Sequence, residues 1–335
     1  MRQLVVFGPE SAAIINVPVP VPGPDEVLIK VDACGIGPAD LLIYRGEYPG
    51  RYPVVPGHEI AGTVAAAGAE VMDLRPGDAV TVEPNLACGD CLPCKYGKRN
   101  FCKNWSALGV TRPGGLADYV TAPALNVFPI GRMPAEKAIF MEPLSCVLHG
   151  VKKLAITLGY QAFVAGAGPM GNLITQTLKS FGVTTVVGEP LPFRRALARQ
   201  SGARKVFDTT RGFDVVLNEF PARFELVVDA TGVPAVMEQL FRLAQPGAEV
   251  LLFGIPPRDT WIRLNPFELF MNGLTFHSSY TSVDNTDEAI DMLRSNRVET
   301  THLISHVLGL DAFNEALELL AEPAANETLK VIIKP

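Results

Sequence analysis

Residues 161–189 place a glycine-rich turn between two short apolar segments, an order that strongly restricts the fold of the chain. The segment AFVA runs into Gly166-Ala-Gly168-Pro-Met-Gly171, and the following NLITQTLKSFG has helical periodicity. A second apolar segment, TTVVG, leads to Glu189, about 20 residues beyond the first glycine. Strand, glycine turn, helix and strand in this order indicate a βαβ unit. Because the alternation continues through FELVVDATG and AEVLLFGI, we predict a parallel sheet with helices on both faces.

The glycine-rich turn also predicts a dinucleotide site. Glycines let a backbone approach a pyrophosphate at a helix N-terminus, where unpaired N–H groups favour anions. A carboxylate at the end of the second strand accepts hydrogen bonds from ribose hydroxyls and repels a 2′-phosphate, which favours NAD over NADP. Arg194 and Arg195 oppose that preference if they fold back onto a phosphate, and a plain strand–helix turn is the structural alternative. The predicted cofactor-binding residues are Gly166, Gly168, Pro169, Met170, Gly171, Glu189 and Arg194.

The first third of the chain has a different texture, rich in Gly, Pro and Val. Short apolar runs such as EVLIKVDA and DAVTVEP are separated by turn sequences such as Pro-Gly-Pro-Asp and Arg-Pro-Gly-Asp. Many short strands at close spacing predict a barrel-like β domain. The C-terminal part carries two amphipathic helical segments and a final strand, KVIIKP. A length of 335 residues fits two domains.

The charge balance excludes several classes of partner. There are 29 Lys and Arg against 35 Asp and Glu, a net charge of −6, and basic residues form no long run. This argues against a nucleic acid or an anionic membrane as partner. No run of strongly apolar residues is long enough for a transmembrane helix, and the first residues lack the pattern of a secretory signal. We therefore expect a cytoplasmic protein that acts on a small molecule.

Four of the six cysteines fall in one short window. Two-residue gaps separate the first three, and a seven-residue gap precedes the fourth, so four thiolates can converge on one loop. In a chain without an export signal, such a cluster indicates a metal site before a disulfide framework. Four sulfur ligands leave no open position, which is typical of structural zinc; four free surface thiols are the alternative. The predicted zinc ligands are Cys88, Cys91, Cys94 and Cys102.

A third motif, Gly57-His58-Glu59, is informative only in combination with the glycine-rich turn and the cysteine cluster. Together they make the chain resemble, from end to end, the medium-chain zinc-containing alcohol and polyol dehydrogenases, in particular the branch of the sorbitol, threonine and butanediol dehydrogenases. Further segments carry the resemblance: Val54-Val-Pro-Gly-His58-Glu59, Gly115-Leu-Ala-Asp-Tyr-Val, Glu142-Pro-Leu-Ser-Cys, Val228-Asp-Ala-Thr-Gly and Lys330-Val-Ile-Ile-Lys-Pro.

The resemblance implies an α/β protein of two domains. A GroES-like β-barrel catalytic domain is expected over residues 1–150, with a structural-zinc lobe at 85–105. A Rossmann NAD-binding domain with a doubly wound parallel sheet is expected over 151–284, and residues 285–335 return to the catalytic domain. Members of the family pair the last strand of the nucleotide sheet with a second subunit, so a homodimer or homotetramer is expected.

The expected catalytic-metal segment departs from the family pattern. Family members carry a ligand cysteine, a proton-relay hydroxyl and often a histidine where this chain has Gly37, Ala39 and Leu42. The resemblance leaves His58, Glu59 and Glu142 as catalytic residues and as a possible weakened site for a second metal. Cys34 and Cys146 are alternative donors, although the family uses neither position as a ligand.

The resulting expectation is an enzyme, an NAD-dependent oxidoreductase that transfers hydride between the nicotinamide and a small secondary alcohol, polyol or sugar-like hydroxyl, or the matching ketone. Tyr44, Trp105 and Tyr119 are candidates for an apolar substrate wall. Two alternatives remain, both motivated by the altered segment: a zinc-independent carbonyl or enone reductase, and a non-catalytic NAD-binding pseudo-enzyme.

Overall fold

The computed structural model describes residues 1–48 and 50–335. They form two compact units, the first made of residues 1–145, 282–294 and 303–335 and the second of residues 146–281 and 295–302. The strands are β1 (Arg2–Gly8), β2 (Ser11–Asn16), β3 (Glu26–Ile36), β4 (Glu59–Ala67), β5 (Ala79–Val82), β6 (Asn85–Leu86), β7 (Ser106–Ala107), β8 (Tyr119–Pro123), β9 (Val127–Pro129), β10 (Gln161–Ala165), β11 (Thr184–Gly188), β12 (Lys205–Phe207), β13 (Phe224–Asp229), β14 (Ala244–Leu252), β15 (Thr275–Ser278), β16 (Ile304–Gly309) and β17 (Lys330–Lys334). The helices are α1 (Pro38–Arg45), α2 (Leu92–Lys95), α3 (Ala135–Ala138), α4 (Met141–Val151), α5 (Pro169–Ser180), α6 (Pro192–Gln200), α7 (Asp214–Glu219), α8 (Pro234–Leu240), α9 (Pro266–Asn272), α10 (Thr286–Arg294) and α11 (Phe313–Ala321).

The first unit is built on a seven-stranded sheet in the order β16-β17-β3-β4-β5-β9, with β8 also paired to β3. All its pairs are antiparallel except β16 with β17. The long strand β3 lies at the centre, and eight of its 11 residues are buried. Valine, isoleucine and leucine side chains from both faces form one apolar core, which makes burial the main stabilising term here.

The second unit is a six-stranded sheet in the order β12-β11-β10-β13-β14-β15, and every pair in it is parallel. The order reverses between β10 and β13, as in doubly wound nucleotide-binding sheets. Phenylalanine rings pack its core in edge-to-face and tilted pairs. The predicted parallel sheet and α/β class are confirmed. The sequence-based domain bounds, which assign each part a function, stay predictions.

One edge of this sheet has exposed apolar side chains beside it. Strand β15 ends one side of the sheet, and its side chains are only half-buried or exposed. Helix α9 precedes it and leaves large apolar side chains exposed, among them Phe267, Phe270 and Met271. Trp261 in the preceding loop is 92% exposed. Within the described residues, no helix combines the length and the apolar character that a membrane crossing requires.

Candidate functional site

The cysteine lobe brings its four thiols together. Cys91 Sγ lies 3.4 Å from Cys94 Sγ and 3.8 Å from Cys102 Sγ, and Cys102 Sγ lies 3.4 Å from Cys88 Sγ. A tetrahedral zinc with bonds of about 2.3 Å has sulfurs about 3.8 Å apart, whereas a disulfide bond is about 2 Å long. All four cysteines are free thiols. The residues therefore fit one structural zinc ion.

The glycine-rich turn lies where the strand order of the parallel sheet reverses. Gly166 has a φ of 94°, and a Cβ on Gly171 would lie 2.0 Å from the Gly166 carbonyl oxygen, so both positions need glycine. Gly168 differs, because its backbone is extended and a Cβ there would meet only Arg194 Nη1, at 3.9 Å. The approach to the N-terminus of α5 is thus open at Gly168, as a bound pyrophosphate requires.

Glu189 is more than a group at the end of a strand. Its side chain is buried, and its Oε2 accepts a hydrogen bond from the Ala167 N–H at 2.7 Å, while Oε1 accepts one from the Leu191 N–H at 2.9 Å. The carboxylate therefore holds the turn in place and keeps a negative charge beside it. Arg195 is engaged with the Glu189 carbonyl oxygen and with Asp208.

Arg194 is the arginine that lies nearest the turn. Its guanidinium lies over the Phe193 ring, 5.6 Å from the ring centroid. Burial lowers the pKa of Arg194, and the charge of Glu189 acts in the opposite direction. The two predicted cofactor residues Glu189 and Arg194 thus both lie beside the turn, where the carboxylate favours NAD and the guanidinium favours NADP.

The first unit assembles the predicted catalytic residues. One ring nitrogen of His58 and one carboxylate oxygen each of Glu59 and Glu142 lie within 4.8 Å of one another. His58 precedes β4, Glu59 is the first residue of β4, and Glu142 lies in the first turn of α4. Cys34 and Cys146 are not members of this group. Cys34 is fully buried against two glycines, since a Cβ on Gly57 would lie 2.6 Å from its sulfur and a Cβ on Gly115 would lie 3.0 Å from it.

Asp40 orients this group, a role that the sequence analysis missed. It is fully buried, and its oxygens accept hydrogen bonds from the N–H groups of Gly37 at 3.0 Å and Gly57 at 2.9 Å. Its Oδ1 lies 3.6 Å from His58 Nδ1, an ion-pair distance that is too long for a hydrogen bond. Because Nδ1 faces Asp40, Nε2 is the ring nitrogen that remains for a ligand.

Burial and charge oppose each other at this pair. Burial by itself lowers the pKa of His58, but Asp40 together with Glu142 and Glu59 outweighs it and raises the pKa to about 10. Burial by itself raises the pKa of Asp40. His58 and the two backbone N–H groups lower it by more, so the pKa of Asp40 is below its ordinary value. The pair is therefore charged at neutral pH.

Lys330 is the second residue that the sequence analysis missed. Its Nζ donates to both carboxylate oxygens of Glu59, at 2.5 and 2.8 Å, and both side chains are almost completely buried. A lysine directly before the apolar run Val331–Ile333 was the available signal, because a fully buried lysine needs an anionic partner. The sequence showed no way to identify that partner, which lies 271 residues away along the chain.

A catalytic metal fits this group poorly. Gly37 supplies no sulfur, and a Cβ at that position would face Glu59 Oε1 at 3.7 Å and Lys330 Nζ at 3.9 Å. Both oxygens of Glu59 already contact an ammonium group. With Glu59 engaged, the group offers at most His58 and Glu142 to a metal, fewer than the three protein ligands of catalytic zinc sites. The residues as placed do not fit the second metal.

The aromatic residues proposed as a substrate wall do not form one surface. Tyr44 and Trp105 pack against the same small apolar cluster. The Tyr44 hydroxyl donates to the Glu10 carbonyl oxygen, and Trp105 Nε1 donates to Asn85. Tyr119 lies in β8, paired with β3 opposite Lys30. The polar atoms of Tyr44 and Trp105 therefore serve the fold.

Comparisons with known proteins agree with this geometry. The alcohol dehydrogenase GroES-like domain model matches residues 23–132, and the zinc-binding dehydrogenase model matches residues 169–295. The chain is 34% identical to D-altritol 5-dehydrogenase of Agrobacterium fabrum, over 96% of this chain and 95% of that one. It belongs to the zinc-binding alcohol dehydrogenase family, so the predicted resemblance and the prediction of an oxidoreductase are confirmed.

Two solved structures resemble the chain closely. A zinc-binding dehydrogenase of Sinorhizobium meliloti 1021 bound to NADP has a TM-score of 0.95 and 32% identity, over 100% of this chain and 99% of that one. An alcohol dehydrogenase of Escherichia coli CFT073 complexed with NADH has a TM-score of 0.93 and 28% identity over the same shares. Both carry a nicotinamide dinucleotide.

Proposed function

We propose that this chain transfers a hydride between NAD(H) and a small secondary alcohol or polyol, or the corresponding ketone. The observation that carries the proposal is the open glycine turn at the reversal point of the parallel sheet, in a chain of this family. Its relative acts on a polyol, D-altritol, by its name. The free thiols of the cysteine lobe fit a reducing compartment, so we place the protein in the cytoplasm.

In this reaction the carbon–hydrogen bond of the carbinol breaks, hydride passes to the nicotinamide, and the hydroxyl proton leaves. We assign the acceptance of that proton to the Glu142 carboxylate, because the raised pKa of His58 keeps its imidazole protonated at neutral pH. The imidazolium of His58 faces Asp40 through Nδ1 and lies within 4.8 Å of the Glu142 carboxylate, where its charge stabilises the negative charge that develops on the substrate oxygen. Glu59 acts indirectly, by holding Lys330. Zinc held by Cys88, Cys91, Cys94 and Cys102 would order the cysteine lobe and would supply no chemistry to the reaction.

The function is tested by following NADH in reactions with polyols, their ketones and enones, using the unmodified chain and Gly168→Ala. The extended backbone at Gly168 tolerates alanine, but the added methyl group enters the approach to the pyrophosphate. We expect polyol-dependent NADH formation, and a loss of at least about tenfold in NADH affinity for Gly168→Ala.

The matched control is Gly8→Ala, whose methyl group meets nothing within 4 Å, so its kinetics should equal those of the unmodified chain. Turnover of enones with none of polyols would favour a zinc-independent reductase. NADH binding without turnover of any of these compounds would favour a pseudo-enzyme.

We expect NADH to bind more tightly than NADPH, because the buried Glu189 carboxylate keeps a negative charge beside the turn. Glu189→Ala should narrow the difference in dissociation constants measured by calorimetry. Glu225→Ala is the control, since Glu225 also accepts a backbone N–H, from Gln161 at the other end of β10. Tighter binding of NADPH by the unmodified chain would mean that Arg194 outweighs the carboxylate.

We propose a homodimer or homotetramer formed at the edge of the parallel sheet. The partly exposed edge strand β15 and the apolar side chains of α9 support this proposal, since exposed strand edges and large apolar patches are normally covered. Phe270→Glu should yield monomers in light scattering, whereas Leu125→Glu, on an exposed leucine of the first unit, should not. An unchanged mass for Phe270→Glu would place the interface elsewhere.

A further inference from the structure

We propose that the ammonium group of Lys330 is the resident cation of the His58–Glu59–Glu142 group, where it takes the Glu59 carboxylate that a metal ion would otherwise bind. The proposal rests on the proposed function in that it concerns the same site. It states that Lys330 determines whether the Glu59 carboxylate is paired with an ammonium group or with a metal ion. The chain should accordingly hold one zinc ion, in the cysteine lobe.

Three adjacent strands position the pair. Strand β3 lies between β4, which begins at Glu59, and β17, which begins at Lys330. The backbone of Glu59 and that of Lys330 thus lie on opposite sides of the end of β3. Their side chains meet over Gly35, which has no side chain of its own. A Cβ on Gly35 would lie 1.9 Å from Glu59 Oε2, so only glycine lets the carboxylate take this path. The sheet itself therefore builds the contact between Glu59 and Lys330.

The contact is short, doubled and shielded from water. Lys330 Nζ reaches both oxygens of Glu59, and its side chain and that of Glu59 are each 4% exposed. The ammonium also lies 5.9 Å from the centroid of the Phe140 ring, within the range of cation–π attraction. Removing one partner from a buried ion pair costs far more than breaking a surface pair, because the other charge is left buried without a counter-charge. A metal would have to displace an ammonium from both oxygens.

The charges around the pair oppose a divalent ion further. The ammonium of Lys330 already faces the Glu59 carboxylate, and the His58 ring faces the Asp40 carboxylate. A divalent cation bound to Glu59 would lie beside Lys330 and be repelled by it. Gly37 contributes no thiolate to offset this repulsion. Lys330 thus explains why Glu59 is withheld from a metal, which the absence of a sulfur at position 37 alone does not.

The test compares Lys330→Met, which removes the charge, with Lys330→Arg, which keeps it. Each full-length protein is dialysed against a mild chelator and titrated with zinc, and bound zinc is counted by elemental mass spectrometry. The unmodified chain and Lys330→Arg should retain one zinc and bind a second at least tenfold more weakly than Lys330→Met. If Lys330→Met does not fold, Lys330→Gln takes its place as the uncharged variant, because glutamine keeps a hydrogen-bond donor to Glu59 without the charge.

A tightly held second zinc in the unmodified chain would overturn the proposal. So would equal zinc binding by the charged and neutral variants, because Gly37 alone would then account for the metal content. Zinc content is independent of turnover. A chain that fails the polyol screen but shows the Lys330 effect refutes the proposed function only, and a chain that turns over polyols with two tight zinc ions refutes this inference only.

Discussion

Cys91→Ala should release the zinc of the cysteine lobe and lower the melting temperature by about 5 °C or more. The four sulfurs already lie 3.4–3.8 Å apart in the pairs that contact one another. Few apolar side chains in this lobe are buried, and Leu92, Tyr96 and Phe101 are exposed, so little besides the metal orders it. Elemental analysis and thermal unfolding of the purified variant provide the measurement.

Cys146→Ala is the matched control, because this cysteine belongs to neither group of candidate ligands. It should retain one zinc and melt within about 2 °C of the unmodified chain. NADH affinity should survive in both variants, since the glycine turn belongs to the other unit. A Cys91→Ala protein that still holds one zinc after dialysis would contradict the four-sulfur site.

Asp40→Asn should cost about 3–5 kcal/mol of the free energy of unfolding. Asp40 is fully buried and accepts N–H groups of Gly37 and Gly57, so an amide group turned toward either of them places donor against donor. It also leaves the His58 imidazolium without its nearest anion. Denaturant unfolding gives the difference, and Asp311→Asn, at an exposed ion pair with Arg2, should change it by less than about 1 kcal/mol.

The effect of Asp40→Asn should depend on pH in a defined direction. The pKa of His58 is raised to about 10 in the folded chain, so its ion pair stabilises fully below the ordinary histidine pKa, and this stabilisation is lost as the pH rises through about 10. The pKa of Asp40 is lowered in the folded chain, so the stabilisation that its carboxylate contributes is lost only in acid, as the pH falls below the ordinary aspartate pKa. If the loss in free energy of unfolding caused by Asp40→Asn stayed constant from neutral pH to pH 10, this result would contradict the charged pair.

Local patterns carried much of the fold and part of the site. The turn at Gly166–Gly171 and the spacing of Cys88 to Cys102 were readable because each is a short contiguous segment whose geometry follows from its own residues. Helix α9 escaped the sequence analysis, since PFELFMN has apolar residues on an exposed surface and little periodicity to indicate a core-facing helix. Helix α5 begins at Pro169, earlier than its apolar period suggested, because proline is favoured in the first turn.

The sequence by itself determined that this chain contains a nucleotide-binding parallel sheet, a four-cysteine lobe and a catalytic segment without its family cysteine. Only the tertiary structure showed which side chains contact His58 and Glu59 in the site that lacks this cysteine. Asp40 reaches His58 across 18 residues of chain, and Lys330 reaches Glu59 across 271. Such pairs depend on which strands lie side by side, and strand adjacency is set by the packing of the whole sheet. No local pattern around Glu59 records that its partner is a lysine at the opposite end of the chain.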